Sequence, residues 1–230
     1  MKAYGVSFQR ASSMRATPFD GKFLGEEPYF KLEPTGMLVE FAAEHCGHGR
    51  YALDVGCGNG RNACVLASAG YVAVGVDISP TALRVARRIA PNALFVRSDV
   101  ISLPFRDRIF AVAFCGTVLS CLDESGLARA IIELSRVTMP GGYFLLTDFS
   151  VDDPGASGPD ASDASECSPF LKHYFEPTEL QKILAGFSIE RMWKVRKLDD
   201  THGPTHTHVL VRLVARRNTG DRRQPNTAIA

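Results

Sequence analysis

The stretch Tyr51-Ala-Leu-Asp-Val-Gly-Cys-Gly-Asn-Gly-Arg61 constrains the fold more than any other part of the chain. An apolar run of strand length passes directly into three alternating glycines, Gly56, Gly58 and Gly60, and then into a helical pattern near Arg61–Ala69. Glycines at these positions let the backbone turn tightly and leave no Cβ to block a ligand resting on it. The helix that follows offers unpaired N–H groups and a partially positive N-terminus, which suits a carboxylate or phosphate. Asp54, at the strand's end, adds a carboxylate to the same loop. Glycines also make ordinary turns, so the loop alone does not establish a ligand.

The rest of the body repeats this alternation. Strand candidates are Tyr51–Val55, Val72–Val76, Ala93–Arg97, Ile109–Phe114 and Tyr143–Thr147, with helices near Arg61–Ala69, Pro80–Ile89 and Glu124–Thr138. Near-continuous apolar strands alternating with amphipathic helices predict an α/β fold with a mostly parallel sheet covered on both faces. A helix over Pro34–His45 precedes the first strand; a helix over Pro177–Ala185 and strands near Ser188–Val195 and Thr207–Ala215 follow the fifth. With 230 residues, 45% of them apolar, the chain suits one domain with an ample core. We read residues 1–216 as that domain. Residues 1–33 form an aromatic-containing arm (Phe19, Tyr29, Phe30) placed to act as a lid, residues 151–168 a flexible Asp/Ser/Gly/Pro-rich insertion, and residues 217–230 a disordered tail.

Two later acidic residues give the glycine loop company. Asp77 closes the second strand, where a carboxylate is placed to accept from both hydroxyls of a ribose, with Ile78 beside it. Asp99 follows the third strand, where it can accept from an exocyclic amine while the Val100 N–H donates to the ring. Each has a plainer reading: Asp77 can cap the next helix, although Ser79 before Pro80 is the better cap, and Asp99 can be a turn residue. Polar groups at three strand tips on one sheet edge nonetheless fit the crevice where open α/β sheets bind ligands. A dinucleotide fingerprint requires Gly or Ala three residues after Gly58; Arg61 stands there and would clash.

These segments resemble the motifs of class I S-adenosylmethionine-dependent methyltransferases. LDVGCGNGRNA is similar to the first, VGVDISPTAL to the second and SDVISLPF to the third. FAVAFCGTVLSCL and RVTMPGGYFLLTDFS are similar to the fourth strand and the helix–strand step after it. The resemblance covers about Ala52 to Phe149. It implies a Rossmann-like, doubly wound sheet of seven strands with an antiparallel last strand, and S-adenosylmethionine as cofactor. It further implies that the Gly56–Gly60 loop, including Cys57, holds the methionine part, Asp77 the ribose, and Asp99 with Val100 the adenine. Cys115 and Gly116, just past the fourth strand, would help bind the methionine amino group.

Methyl transfer is an in-line displacement on an already activated carbon, so the protein mainly aligns the acceptor and excludes water, with a base where the acceptor carries a proton. The acceptor site therefore has no universal signature. Candidates are Asp148 at the end of the fifth strand, Thr117–Leu122, and His173, Tyr174 and Phe175; the apolar and aromatic members among them equally suit core packing. The run Asp199-Asp-Thr-His-Gly-Pro-Thr-His-Thr-His208 is unusual. His202 and His206 are candidates for proton transfer or acceptor contact. A metal site with Asp200 is a second reading and a polar hairpin loop a third. No cysteine or glutamate completes a recognisable ligand set, so no metal is expected.

Net charge of +1 gives no whole-chain reason to expect a nucleic acid or an anionic membrane as partner. Cys115-Gly-Thr-Val118 stands where an Asn-Pro-Pro-Tyr-like tetrapeptide would mark base amino-methylation. No apolar run approaches the roughly 20 residues needed to span a bilayer. The cysteines Cys46, Cys57, Cys64, Cys115, Cys121 and Cys167 follow no disulfide-scaffold spacing, which suits a reducing cytoplasm. HYFEPTELQKILAGFSIERM and the terminal VLVRLVARR resemble small-molecule methyltransferases of the tellurite-resistance and thiopurine kind, implying a small acceptor such as a thiol or chalcogen oxyanion. A non-catalytic cofactor-binding sensor and a protein side-chain methyltransferase are the alternatives.

Overall fold

The computed structural model describes residues 17, 19–23, 32–156, 173–199 and 205–220. Strands β1 (Tyr51–Val55), β2 (Val72–Asp77), β3 (Leu94–Arg97), β4 (Phe110–Gly116), β5 (Thr138–Phe149), β6 (Phe187–Asp199) and β7 (His206–Arg217) form one seven-stranded sheet. Its order is β3-β2-β1-β4-β5-β7-β6. The pairs from β3 to β5 are parallel; β7 lies between β5 and β6 and runs antiparallel to both. The expected doubly wound, Rossmann-like α/β sheet with an antiparallel last strand is the observed one.

Alternation along each strand sorts the apolar residues to two faces. Leu53, Val55, Phe144 and Leu146 face one core with Leu127 and Leu134 of α4 (Glu124–Val137) and Leu180 of α5 (Pro177–Ile183). Their neighbours Ala52 and Leu145 face the other, with Met37, Leu38 and Phe41 of α1 (Gly36–Glu44) and Leu66 of α2 (Arg61–Ser68). Each fully buried Leu or Phe here contributes about 1.5–3 kcal/mol. Helix α3 (Pro80–Ile89) opens as its sequence predicts: the Ser79 hydroxyl accepts from the Ala82 N–H at 3.0 Å, and Pro80 occupies the first turn. Asp123 caps α4 in the same way, accepting from the Gly126 N–H at 2.8 Å.

Most boundaries lie within one or two residues of the sequence reading, and three departures are informative. Strand β5 starts at Thr138, not Tyr143, because Thr138 ends α4 and at once pairs with Phe110; the register shifts before Tyr143 joins Val112. Strand β6 continues to Asp199, carried by its ladder to β7 although its outer end is exposed and charged. Such charges on an edge strand deter pairing with other chains. Ordered chain extends past residue 216: Arg217 belongs to β7, and the Asn218 Oδ1 accepts from Ser188 Oγ at 2.7 Å. Tyr29, Phe30 and residues 157–168 and 221–230 lie outside the described residues.

Candidate functional site

One end of the candidate site is built by the turn from β1 into α2. Gly56, Gly58 and Gly60 have φ of 62°, 52° and 82°, a region that L side chains rarely adopt. A Cβ on Gly56 would also lie 2.2 Å from Val118 Cγ2, and one on Gly60 would lie 3.0 Å from Ala86 Cβ. The loop thus needs glycine for its conformation and for close approach. Asp54 is 1% exposed, and its Oδ2 has no hydrogen-bond partner among the described residues. Burial pushes its carboxyl up to about 7, against the Ala63 N–H and Arg61, which act to lower it. A buried carboxylate oxygen left open beside the loop fits a cationic amino group, as a bound amino acid moiety would supply. The thiol of Cys57 packs into the core and is raised by burial; its N–H donates to Val76 O at 2.9 Å.

Asp77 stands at the tip of β2 and ties the loop to the next helix: Oδ2 accepts from the Gly58 N–H at 2.9 Å, and Oδ1 from the Ser79 N–H at 2.8 Å. Burial raises its carboxyl and these two N–H groups act in the opposite sense. Ser79, not Asp77, is the helix cap. Each carboxylate oxygen keeps a second lone pair for a ligand. Ile78 follows, its carbonyl accepting from Arg97 Nε at 3.0 Å. Asp99 is exposed beyond β3, with Oδ1 accepting from the Ile101 N–H at 3.2 Å, while Val100 is buried. Cys115 is fully buried at the end of β4, which raises its thiol. The Gly116 carbonyl accepts from Thr117 Oγ1 at 2.8 Å.

A fragment of the arm reaches this edge. Asp20, in a 3-10 turn over Asp20–Phe23, accepts from Ser79 Oγ and the Thr17 N–H, each at 2.5 Å, at the start of α3. Burial would raise its carboxyl, but the hydrogen bonds from Ser79, Thr17 and Thr81 bring it down to about 2.

At the other end of the crevice, Asp148 is fully buried. Its Oδ2 accepts from the N–H groups of Leu119 and Ser120 at 3.0 and 3.3 Å, anchoring the 3-10 turn Leu119–Cys121 that follows β4. Burial pushes its carboxyl up to about 6. Leu119 and Phe175 are core residues, as the packing alternative had it, whereas His173 and Tyr174 are partly exposed. Tyr174 lies against Phe149 with ring centroids 6.2 Å apart.

The histidine run yields a second cluster on the same sheet edge. His206 and His208 share a face at the start of β7, and Asp199, the last residue of β6, pairs with His206. His206 Nε2 lies 3.0 Å from His208 Nε2, and Asp199 Oδ2 lies 3.9 Å from the latter. His208 Nδ1 lies 3.0 Å from Asp153 Oδ2, which also accepts from the Val209 N–H at 2.7 Å; Asp153 Oδ1 accepts from the Gly155 N–H. The charge of Asp199 is felt at Arg61, the first residue of α2. Asp199 and Asp153 were not among the expected site residues; Asp153 sits within the stretch read as flexible insertion. His202 and Asp200 lie outside the described residues.

A family profile described as a methyltransferase domain matches residues 53–146. The match supports the expected likeness to class I S-adenosylmethionine-dependent methyltransferases over this stretch. It is 35% identical over 124 residues to an uncharacterised methyltransferase of Synechocystis sp., covering 54% of this chain and 55% of that protein. To a demethylmenaquinone methyltransferase of Renibacterium salmoninarum it is 34% identical over 102 residues, 44% of this chain and 42% of that one. The chain therefore spans about half the length of these curated relatives. A solved structure reported for the conversion of a disulfide bond into a thioacetal group during echinomycin biosynthesis superposes with a TM-score of 0.69. It is 25% identical, covering 88% of this chain and 93% of that one. Among the described residues, no helix is long and apolar enough to cross a membrane.

Proposed function

We propose that the protein binds S-adenosylmethionine and transfers its methyl group to a small-molecule acceptor. The observation that carries the reading is the buried, open Oδ2 of Asp54 beside three left-handed glycines. When bound, the cofactor supplies a methyl group already activated on a sulfonium. The chain's own work is to hold and to exclude. In this reading Asp54, the Gly56–Cys57–Gly58–Gly60 backbone, Cys115 and Gly116 hold the amino acid part. Asp77 with Ile78 accepts from the ribose, and Asp99 with Val100 frames the adenine. Val118, packed on Gly56, bounds the passage between the two ends of the crevice. Asp148 holds the turn that carries Val118 and Leu119, so it acts by positioning. His206 and Tyr174 contact the acceptor.

A small, sulfur-bearing acceptor is the finer reading. It draws on the likeness of the carboxy-terminal segment to thiopurine-type enzymes and on the disulfide-to-thioacetal chemistry reported for the structural neighbour. The demethylmenaquinone methyltransferase relative keeps quinone-type acceptors in the screen.

The test begins with calorimetric titration of S-adenosylmethionine and S-adenosylhomocysteine into wild-type protein and Asp77→Ala. Loss of the ribose contact weakens binding by about 1.5–3 kcal/mol. Absence of binding to folded wild-type protein would overturn the reading. Formation of S-adenosylhomocysteine is then followed with thiols, chalcogen oxyanions and quinols. Binding without turnover on any of these would favour a sensor instead.

A further inference from the structure

We infer that Asp199, His206 and His208 form a binding site for one divalent transition-metal cation of the zinc type, with Asp153 as the outer partner of His208. The inference rests on the geometry of this cluster and goes beyond the methyl-transfer reading. One ring nitrogen of each histidine and a carboxylate oxygen of Asp199 lie within 4.8 Å of one another. Ligands about 2.0–2.1 Å from a tetrahedral zinc stand about 3.3 Å apart. The two imidazole nitrogens, at 3.0 Å, need to open by about 0.3 Å, and the histidine–aspartate pair, at 3.9 Å, to close by about 0.6 Å. Side-chain rotation within existing rotamers covers both changes.

Two features separate this cluster from a chance meeting of polar groups. First, all three ligands stand on paired strands, where β6 and β7 hold Asp199 opposite His206 and keep His208 on the same face. Second, His208 already has the outer shell of a metal-bound imidazole. Its Nδ1–H points to the Asp153 carboxylate, itself fixed by the N–H groups of Val209 and Gly155. That hydrogen bond sets the tautomer so that the Nε2 lone pair faces His206. The Phe149 ring, 5.0 Å away and edge-on, holds the imidazole plane. With His208 as acceptor, the ion-free pair is joined by a proton on His206 Nε2. Metal entry moves that proton to His206 Nδ1, leaving two neutral imidazoles and one carboxylate as ligands.

The local charge is mixed. Lys197 stands opposite His208 on the same face, and Arg61 lies close enough to act on both Lys197 and Asp199. Glu33, Asp199 and Asp153 provide the opposing charge. An all-oxygen site for calcium or magnesium would want more carboxylates than this. Two imidazoles and one carboxylate select zinc, or cobalt in its place, and among the described residues they supply three of the four tetrahedral positions.

Untagged full-length protein, stripped with chelator, is titrated with zinc in the calorimeter and with cobalt by visible absorption. Expected are one equivalent of zinc and the ligand-field bands of tetrahedral cobalt. His206→Ala or His208→Ala abolishes the bands, Asp153→Asn weakens zinc binding about 10–100-fold, and His48→Asn, an exposed histidine before β1, leaves it unchanged. Circular dichroism and S-adenosylhomocysteine binding on the same samples establish that each variant is folded. Absence of saturable binding by folded wild-type protein would overturn the site, as would binding that His206→Ala and His208→Ala leave intact. Metal binding by protein that takes no S-adenosylhomocysteine would support the site while removing the methyl-transfer reading.

Discussion

Asp54→Asn should change how stability depends on pH, and by an amount the structure supplies. Burial raises the Asp54 carboxyl from 3.8 to about 7. Below pH 4 the group is neutral in both folded and unfolded chains and has no pH-dependent effect. Between about pH 4 and 7 the unfolded chain ionises it freely while the folded chain resists, so the folded state loses stability as pH rises. Above 7 both forms are ionised and the loss is complete. About three pH units at about 1.4 kcal/mol each give a loss of about 4 kcal/mol in wild type that asparagine escapes. For a chain of this size that corresponds to a difference of about 8–16 °C in melting temperature. The assay is urea denaturation of both proteins at a series of pH values from 4 to 8. The variant should gain steadily on wild type across the series. Saturating S-adenosylhomocysteine should flatten the wild-type slope, because its amino group favours the ionised carboxylate. Curves that run parallel from pH 4 to 8 would refute the reasoning and imply that Asp54 titrates as an ordinary carboxyl.

Further substitutions probe the surrounding framework. Gly60→Ala must adopt a φ of 82° with its Cβ 3.0 Å from that of Ala86; it should lose about 1–2 kcal/mol and weaken S-adenosylhomocysteine binding, and unchanged denaturation would count against the cradle. Ser79→Ala removes both the α3 cap and the hydrogen bond to Asp20, and a loss of about 1 kcal/mol by thermal melting is expected. Arg136→Ala unties the carbonyls of Leu103 and Phe105 and leaves Glu133 only the Leu103 N–H as a partner. It should lower stability by about 1.5–3 kcal/mol in urea, and a change within about 0.5 kcal/mol would show the network to be ornamental.

The donor half was legible because its rules are local. The glycine loop, the Ser79-Pro80 start of α3 and the strand Tyr51–Val55 each declare themselves within a few residues, and the structure places them where the pattern predicts. Strand β5 was read short because a helix cap and a strand start coincide at Thr138, and no periodicity separates the two roles. Strand β6 was read short because its outer end is an exposed edge, where burial imposes no alternation. The contact from Asp153 to His208 was illegible for a different reason. It exists only because β7 runs back along β5 in one particular register, which brings Val209 beside Ser150. The composition around Asp153 reads as loop, and loop it is, but its carboxylate is buried under that returning strand.

The sheet order has a consequence for how such a protein changes over time. The chain builds outward from β1 through β2 and β3, then returns to β4 and builds outward the other way. The methyltransferase-domain match ends at residue 146, two positions short of Asp148 and before Phe149, Asp153, Asp199 and His206. The match thus spans β1 to β4 and most of β5, while the outer hairpin of β6 and β7 lies beyond it. The two halves of the sheet meet along a single ladder between β1 and β4. Substitutions at the far end of the β6–β7 hairpin can therefore reshape that end of the sheet edge while the glycine loop after β1 stays as it is.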